Sequence, residues 1–344
     1  MVAGALVARR GRGGRWRWAI ACAAADVVLL LAAVLMASGV FHLARLWAWL
    51  AFLYLPAQLF VVGLLPRPSR PGTPVFAAFA LALALWGIAV DAFLIEPRWL
   101  EVTSIELGSP RVAAPVRIVV LADLQTDRIG SYERRVLAEV AALDPDLVLL
   151  PGDYLQLDRQ RREREAPALR ALLGDLDPPL GAFAVRGNVE ADDWRELFAG
   201  TPVTALASTR AVRVADWLTV TGLSLSDSFD TSLRLRRAAT GFHVVFGHGP
   251  DFALGEVEAD LLVAGHTHGG QVRLPWIGPP LTLSAIPRAW AAGATELGAG
   301  RTLVVSRGIG LERGRAPRLR FLCRPQLVVI DLAPAASGTT YRHS

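Results

Sequence analysis

The 344-residue chain contains no lysine, so all 36 of its basic residues are arginine. A lysine-rich nucleic-acid tail is thereby excluded, and the meaning of the +5 net charge depends on where the arginines fall. Arg9, Arg10, Arg12, Arg15 and Arg17 precede the first apolar run, and elsewhere arginines alternate with acids, as in DRQRREREAPALR. These are the marks of a topology signal and of solvated helix faces, and no nucleic-acid partner is expected. Cysteine is nearly as scarce. Cys22 lies in the first apolar run and Cys323 near the end of the chain, which excludes a disulfide framework and leaves the redox compartment unread. Internal repeats and low-complexity tracts are also missing.

What the chain has in excess is apolar residues, 53% of the total, and the excess sits in the first hundred positions. Residues 19–40, 47–65 and 75–95 are apolar runs broken only by Asp26 and Asp91. Each approaches the ~20 residues a helix needs to cross a bilayer core, which predicts three transmembrane helices. A signal peptide has a shorter apolar core and a small-residue cleavage site. Trp16, Trp18, Trp47, Trp49 and Trp99 fall near the run ends, as interfacial anchors do. The N-terminal arginines, with Arg67 and Arg70, predict cytoplasmic sides for the N-terminus and the second loop, and three spans then put the remainder on the extracytoplasmic face. Asp26 is read as bonding a neighbouring helix and Asp91 as reaching the interface, because no third polar residue completes a relay. The expected organisation is an anchor over 1–96, an α/β domain over 97–335 and a flexible tail over 336–344.

From residue 112 the pattern changes. PVRIVVLAD, DLVLLPGD and GAFAVRGN read as buried strands, each ending in a polar residue, with helical spacing in YERRVLAEVAALD and REAPALRALLGDL between them. Later runs, among them FHVVFGHG, ADLLVAGHTH, RTLVVSRG and QLVVIDL, are strand-rich with few helices. A second sheet packed on the first accommodates them, giving a four-layer α/β/β/α sandwich. In open α/β sheets, ligands bind beyond the carboxyl ends of the strands. Asp123, Asp153, Asn188, His248, His266 and His268 all fall just past such ends.

Carboxylate, amide and imidazole donors suit divalent Mn, Fe, Zn, Ni or Co better than a thiolate-demanding metal. Two closely spaced ions need a shared carboxylate, and Asp153 is placed to be that bridge, with Gly152 letting the backbone turn sharply before it. GHTHGGQ is the most specific element, because His266 and His268 can send ring nitrogens into one pocket. His248 alone reads as structural, and LADLQ and RGNVE alone read as turns, since Asp and Asn are common turn formers.

Taken in order, D-x-Q, GD, GN, H and GHTH resemble the calcineurin-like metallophosphoesterase superfamily, in particular its bacterial membrane-associated branch, over about residues 100–332. The resemblance implies that Asp123, Gln125, Asp153 and His268 hold one divalent ion, and that Asp153, Asn188, His248 and His266 hold a second. It implies a metal-bridging hydroxide attacking phosphorus, with Asp153, Asn188 and His248 as the catalytic set, and Mn, Fe, Zn or Mg as the metals. Two positions depart from the family pattern. Gln125 stands where D-x-H has histidine, an oxygen donor that favours Mg or Mn. Val189 stands where GNH has the histidine that protonates the leaving group. Losing a general acid costs about 10²–10⁴-fold in rate, least for good leaving groups. Glu190, Asp192 or Asp193 are candidate substitutes, and strand alternation makes His243 structural.

The expected function is membrane-anchored hydrolysis of phosphate mono- or diesters, with lipid- or nucleotide-linked substrates and the bilayer as partners. The alternative is a degenerate member that binds metal and a phosphorylated ligand with little or no turnover. A transporter is disfavoured, because three spans without paired broken helices leave no pathway.

Overall fold

The computed structural model describes residues 12–64, 73–237, 241–335 and 340–343. The chain divides into two compact units, Met1–Ile95 with Gly314–Arg318, and Glu96–Arg313 with Leu319–Ser344.

The first unit is helical: α1 Arg12–Met36, α2 Val40–Trp49, α3 Leu55–Leu64 and α4 Thr73–Val90, with a π-helical turn, Leu50–Tyr54, joining α2 to α3. Two apolar stretches, Val40–Leu64 (25 residues) and Val75–Arg98 (24 residues), are long enough to cross a membrane by length and composition. The third expected span is shorter, Ala21–Met36. The described residues therefore hold two such helices where three were expected. The chain leaves α1 after Met36 and turns at Gly39 (φ 144°), so the second stretch starts at Val40 rather than at 47. Phe60 meets Phe79 edge-on, and a Cβ on Gly63 would sit 2.8 Å from the Phe79 ring, so these helices pack where that glycine opens a groove. Asp26 Oδ1 is buried without a hydrogen-bond partner among the described residues. Of the arginines used to read orientation, Arg9, Arg10, Arg67 and Arg70 lie outside the described residues.

The second unit is built on two sheets. In chain order its strands are β1 Glu101–Ser109, β2 Val116–Val120, β3 Leu147–Leu150, β4 Ala182–Val185, β5 Val203–Leu206, β6 Arg210–Ala215, β7 Leu218–Gly222, β8 Arg234–Leu235, β9 Phe242–Phe246, β10 Glu256–Val257, β11 Leu261–Ala264, β12 Gly293–Gly298, β13 Arg301–Val305, β14 Gln326–Pro334 and β15 Thr340–His343. One sheet has the order β15-β1-β14-β2-β3-β4-β5 and the other β12-β13-β11-β9-β7-β6, while β8 and β10 form a separate pair. The central strands are buried along their whole length, which is why their sequences are continuous apolar runs rather than alternations.

Ile118, Val120, Leu149, Val185, Val244, Leu261, Val304 and Val328 form one core between the two sheets, so the sheets stack face to face. Helices α5 Ser131–Ala142 and α6 Arg159–Leu173 cover the outer face of the first sheet through Val136, Val140, Leu169 and Leu173. The outer face of the second sheet departs from the expected fourth, helical layer. Phe252 from a 3₁₀ turn, Val257 from β10 and Ile286 from a loop cover it, and among the described residues the one α-helix after α6, Leu225–Ser228, has four residues. Thr340–His343, expected in a flexible tail, pair antiparallel with β1, whose edge would otherwise be open.

Candidate metal centre

β2, β3 and β4 are parallel neighbours in one sheet, and β9 and β11 are parallel neighbours in the other. Their carboxyl ends therefore open on one side. Asp123, Asp153 and Asn188 each follow their strand by three residues, and His248 and His266 follow theirs by two. The loops are tied edge to edge. Asp123 N–H donates to Gly152 O (3.2 Å), Gln125 N–H to Asp153 O (2.8 Å) and Gly265 N–H to His248 O (3.0 Å). Asp123 (φ 47°), Gln125 (29°), Asp153 (55°), His266 (67°) and His268 (49°) all adopt left-handed backbone that non-glycine residues seldom take. Such strain persists only where the surroundings over-determine it, and it concentrates at functional sites.

Close backbone approach completes the frame. Gly152 has φ 101°, and a Cβ there would lie 2.6 Å from Gly187 Cα. A Cβ on Gly187 would lie 2.1 Å from Asp153 Oδ1. Behind these loops Glu190 is buried and its carboxylate accepts from the backbone N–H of Gly187 (2.8 Å), Asp153 (3.1 Å) and Tyr154 (2.6 Å). Behind Asp123, the buried Arg320 guanidinium donates to the carbonyls of Arg307, Gly308, Gly310 and Cys323.

The side chains form two donor groups that share Asp153. In the first, ligand atoms of Asp123, Asp153 and His268 lie within 4.8 Å of one another, all buried. In the second, His248 Nε2 lies 2.6 Å from Asn188 Oδ1 and 3.4 Å from Asp153 Oδ1, and His266 Nδ1 lies 3.1 Å from Asn188 Oδ1.

Proton accounting gives the state of each donor in the second group. His248 Nδ1 faces the Pro151 carbonyl at 2.9 Å, and His266 Nε2 faces the Leu283 carbonyl at 3.1 Å. A carbonyl only accepts, so each of those nitrogens carries the proton. Burial lowers both imidazoles to about 4, so both rings are neutral and their other nitrogens are bare. Asn188 Oδ1, Asp153 Oδ1, His248 Nε2 and His266 Nδ1 thus converge as four lone-pair donors with no hydrogen among them. Lone pairs that face one another in this way repel, and a cation among them would relieve the repulsion.

Charge in the first group says the same. Burial, then the neighbouring Asp153, holds the Asp123 carboxyl well above the usual carboxylate range. Burial pushes Asp153 up to about 7 and, with Asp153 beside it, Glu190 up to about 8. Burial, then the Arg320 charge, keeps His268 neutral, and its Nδ1 is buried without a hydrogen-bond partner. A divalent ion relieves crowded carboxylates and uses bare imidazoles.

Gln125 has its orientation fixed from behind. Its Nε2 donates to Gln156 Oε1 (3.2 Å) and Glu312 Oε2 (3.0 Å), and Gln156 Nε2 donates to Glu312 Oε1 (2.7 Å). Its Oε1 is buried with no partner. The amide oxygen is the free donor, as a hard-metal ligand requires. Val189 brings only its backbone N–H to the site, donated to Asp153 Oδ1 (3.1 Å).

The acids weighed as replacements for the missing histidine are engaged elsewhere. Glu190 clamps the loops, Asp192 pairs with Arg186 (2.9 Å) and Asp193 with Arg162 (2.7 Å). His243 is buried between Thr221 Oγ1 (2.8 Å) and Glu258 O (3.1 Å). Sequence reasoning missed Gln156, Glu312 and Arg320, none of which follows a strand end in a recognisable motif.

Comparison with known proteins matches residues 116–270 to the calcineurin-like phosphoesterase family model. The chain is 28% identical over 277 residues to the uncharacterized metallophosphoesterase YkuE of Bacillus subtilis, covering 75% of this chain and 94% of that protein. It is 26% identical to the phosphodiesterase YaeI of Escherichia coli, covering 69% and 90%. It is 22% identical to the UDP-2,3-diacylglucosamine pyrophosphatase LpxG of Chlamydia muridarum, again covering 69% and 90%.

Proposed function

We propose that the chain, whose residues 116–270 match the calcineurin-like phosphoesterase family model, is a membrane-anchored hydrolase of phosphate mono- or diesters working with two divalent ions. The observation that carries the reading is the hydrogen-free convergence of Asn188 Oδ1, Asp153 Oδ1, His248 Nε2 and His266 Nδ1 beside the Asp123–Asp153–His268 group.

In this reading Asp123, Gln125, Asp153 and His268 hold one ion and Asp153, Asn188, His248 and His266 the other, with Asp153 shared. Bound ions of this kind polarise a phosphoryl group and make water a stronger acid. The chain's own part is orientation. Pro151 and Leu283 carbonyls fix the two histidine tautomers, and the second layer of hydrogen bonds fixes ring and carboxylate direction. Gln125 supplies oxygen in place of imidazole, which favours Mg or Mn at the first position. With Glu190 held by three backbone N–H groups and Asp193 paired with Arg162, neither is placed to protonate the leaving group, and substrates with good leaving groups are favoured. Anchoring is supported by the stretches Val40–Leu64 and Val75–Arg98, and an extracytoplasmic position for the domain by Arg67 and Arg70 in the loop between them. LpxG, which by its name acts on a diacylated nucleotide sugar, supports a lipid- or nucleotide-linked substrate.

Val189 favours a second reading, binding of a phosphorylated ligand with little turnover. Hydrolysis of an aryl phosphodiester by the full chain in Mn²⁺, abolished by Asp153→Asn, supports the first reading. Metal binding without hydrolysis supports the second.

A further inference from the structure

Beside the metal centre the chain exposes large apolar side chains on strained backbone. Leu274 and Gly278 close a tight hairpin, each N–H donating to the other's carbonyl (3.0 and 2.9 Å). Its tip carries Trp276, fully exposed, and Ile277, 65% exposed. Leu281 and Leu283 continue the exposed apolar surface towards the site, where the Leu283 carbonyl meets His266 Nε2 at 3.1 Å. Trp276 (φ 64°), Leu283 (53°) and Leu322 (52°) all hold left-handed backbone. Left-handed backbone on a bulky residue costs on the order of 1 kcal/mol or more, so these side chains are held outward against local preference. Scattered exposed apolar residues are ordinary, whereas a contiguous group on one loop marks an interaction surface.

Hydrogen bonds connect this hairpin to the start of the unit. Arg273 N–H donates to Phe321 O and Phe321 N–H to Gln271 O, both at 2.9 Å. The next residue, Leu322, is 53% exposed, and its N–H donates to Glu96 Oε2 at 2.8 Å. The Cys323 N–H donates to the other oxygen of Glu96. Glu96 follows Ile95 directly, within the apolar helical stretch Val75–Arg98. The exposed tip is therefore on the part of this unit where the chain arrives from its apolar helix.

We propose that the Leu274–Gly278 hairpin, with Leu322, is an interfacial anchor that enters the headgroup region of the bilayer and sets the rim of the metal centre against it, so that the substrate is a phosphodiester resident in the membrane. Tryptophan at the tip suits that layer, since its ring is amphipathic. The proposal rests on the membrane-anchored hydrolase reading and deepens it by naming where the substrate is collected.

The test uses the full chain in phosphatidylcholine nanodiscs. Tryptophan emission is compared for the wild type and Trp276→Phe, with and without lipid brominated high in its acyl chains. Wild type should show a quenched component that Trp276→Phe lacks. In parallel, Trp276→Ser/Ile277→Ser should raise KM for a vesicle-embedded p-nitrophenyl phosphodiester on the order of tenfold, the scale for losing an apolar anchor. Its kcat/KM for water-soluble bis(p-nitrophenyl) phosphate should stay unchanged.

Equal quenching in both proteins, with the chain still in the membrane fraction, would overturn the anchor alone. A changed sedimentation coefficient on Trp276→Ser without any quenching difference would overturn it in favour of contact between two copies. A chain recovered without membrane or detergent would overturn the anchor together with the membrane reading. If the wild type hydrolyses neither ester, the hydrolase reading fails, and the quenching comparison still decides the anchor.

Discussion

Glu312 gives the sharpest perturbation of the centre that leaves its ligands untouched. Its two carboxylate oxygens accept from Gln125 Nε2 (3.0 Å) and Gln156 Nε2 (2.7 Å), and Gln156 in turn accepts from Gln125 (3.2 Å). Glu312→Ala removes both charge-assisted bonds and leaves the Gln125 amide with one neutral partner, free to turn its oxygen out of the site. Substituting a residue that orients a metal ligand typically costs 10–100-fold in affinity, equivalent to about 1.4–2.7 kcal/mol. Calorimetric titration of the full chain with Mn²⁺ should therefore show one of two sites weakened by that factor and the other nearly unchanged. Glu312→Gln keeps an acceptor oxygen and should lose less than about tenfold. Gln125→Ala should lose a comparable amount, and the double variant should fall short of the sum by about 0.5–3 kcal/mol, because both changes disable the same ligand. Unaltered Mn²⁺ affinity at both sites in Glu312→Ala would refute the assignment of Gln125 as an oriented donor.

Gly187→Ala places a Cβ 2.1 Å from Asp153 Oδ1, so Asp153 must move. Mn²⁺ affinity should drop about 100-fold or more, and retained binding would contradict a shared role for Asp153. Val189→His restores an imidazole where a leaving group is expected, and rates on alkyl phosphodiesters should rise by up to about 10²–10⁴ with a smaller gain on aryl esters. An unchanged alkyl-to-aryl ratio would show that protonation does not limit the reaction. Asp260 is buried and accepts from Arg111 (2.6 Å), from Arg237 and from the His243 N–H (2.8 Å). Asp260→Ala should cost about 3 kcal/mol, at the low end for a broken buried pair because both arginines reach solvent. That corresponds to a Tm lower by about 6–12 °C, read by scanning fluorimetry.

The central strands were legible because burial on both faces forces continuous apolar runs, and the donors were legible because each sits just past such a run. Asn188 is the chain's single asparagine, yet its motif alone read as a turn, and only its place between His248 and His266 distinguishes it. β1 was not legible, since EVTSIELGS is short of apolar residues and finds its parallel partner β14 more than 200 positions away. Glu312 was hidden for the same reason, lying 187 positions from the amide it orients. Glu190 drew notice as an acid near the site, but its three backbone contacts depend on how two loops close, and sequence carries no sign of that.

The most direct test of the two-ion centre is metal content. Purified full chain equilibrated with Mn²⁺ and passed through a desalting column should carry two ions per chain by elemental analysis, and Asp153→Asn should carry fewer than one. Wild-type protein that retains no metal, or an Asp153→Asn variant that still retains two, would contradict the account.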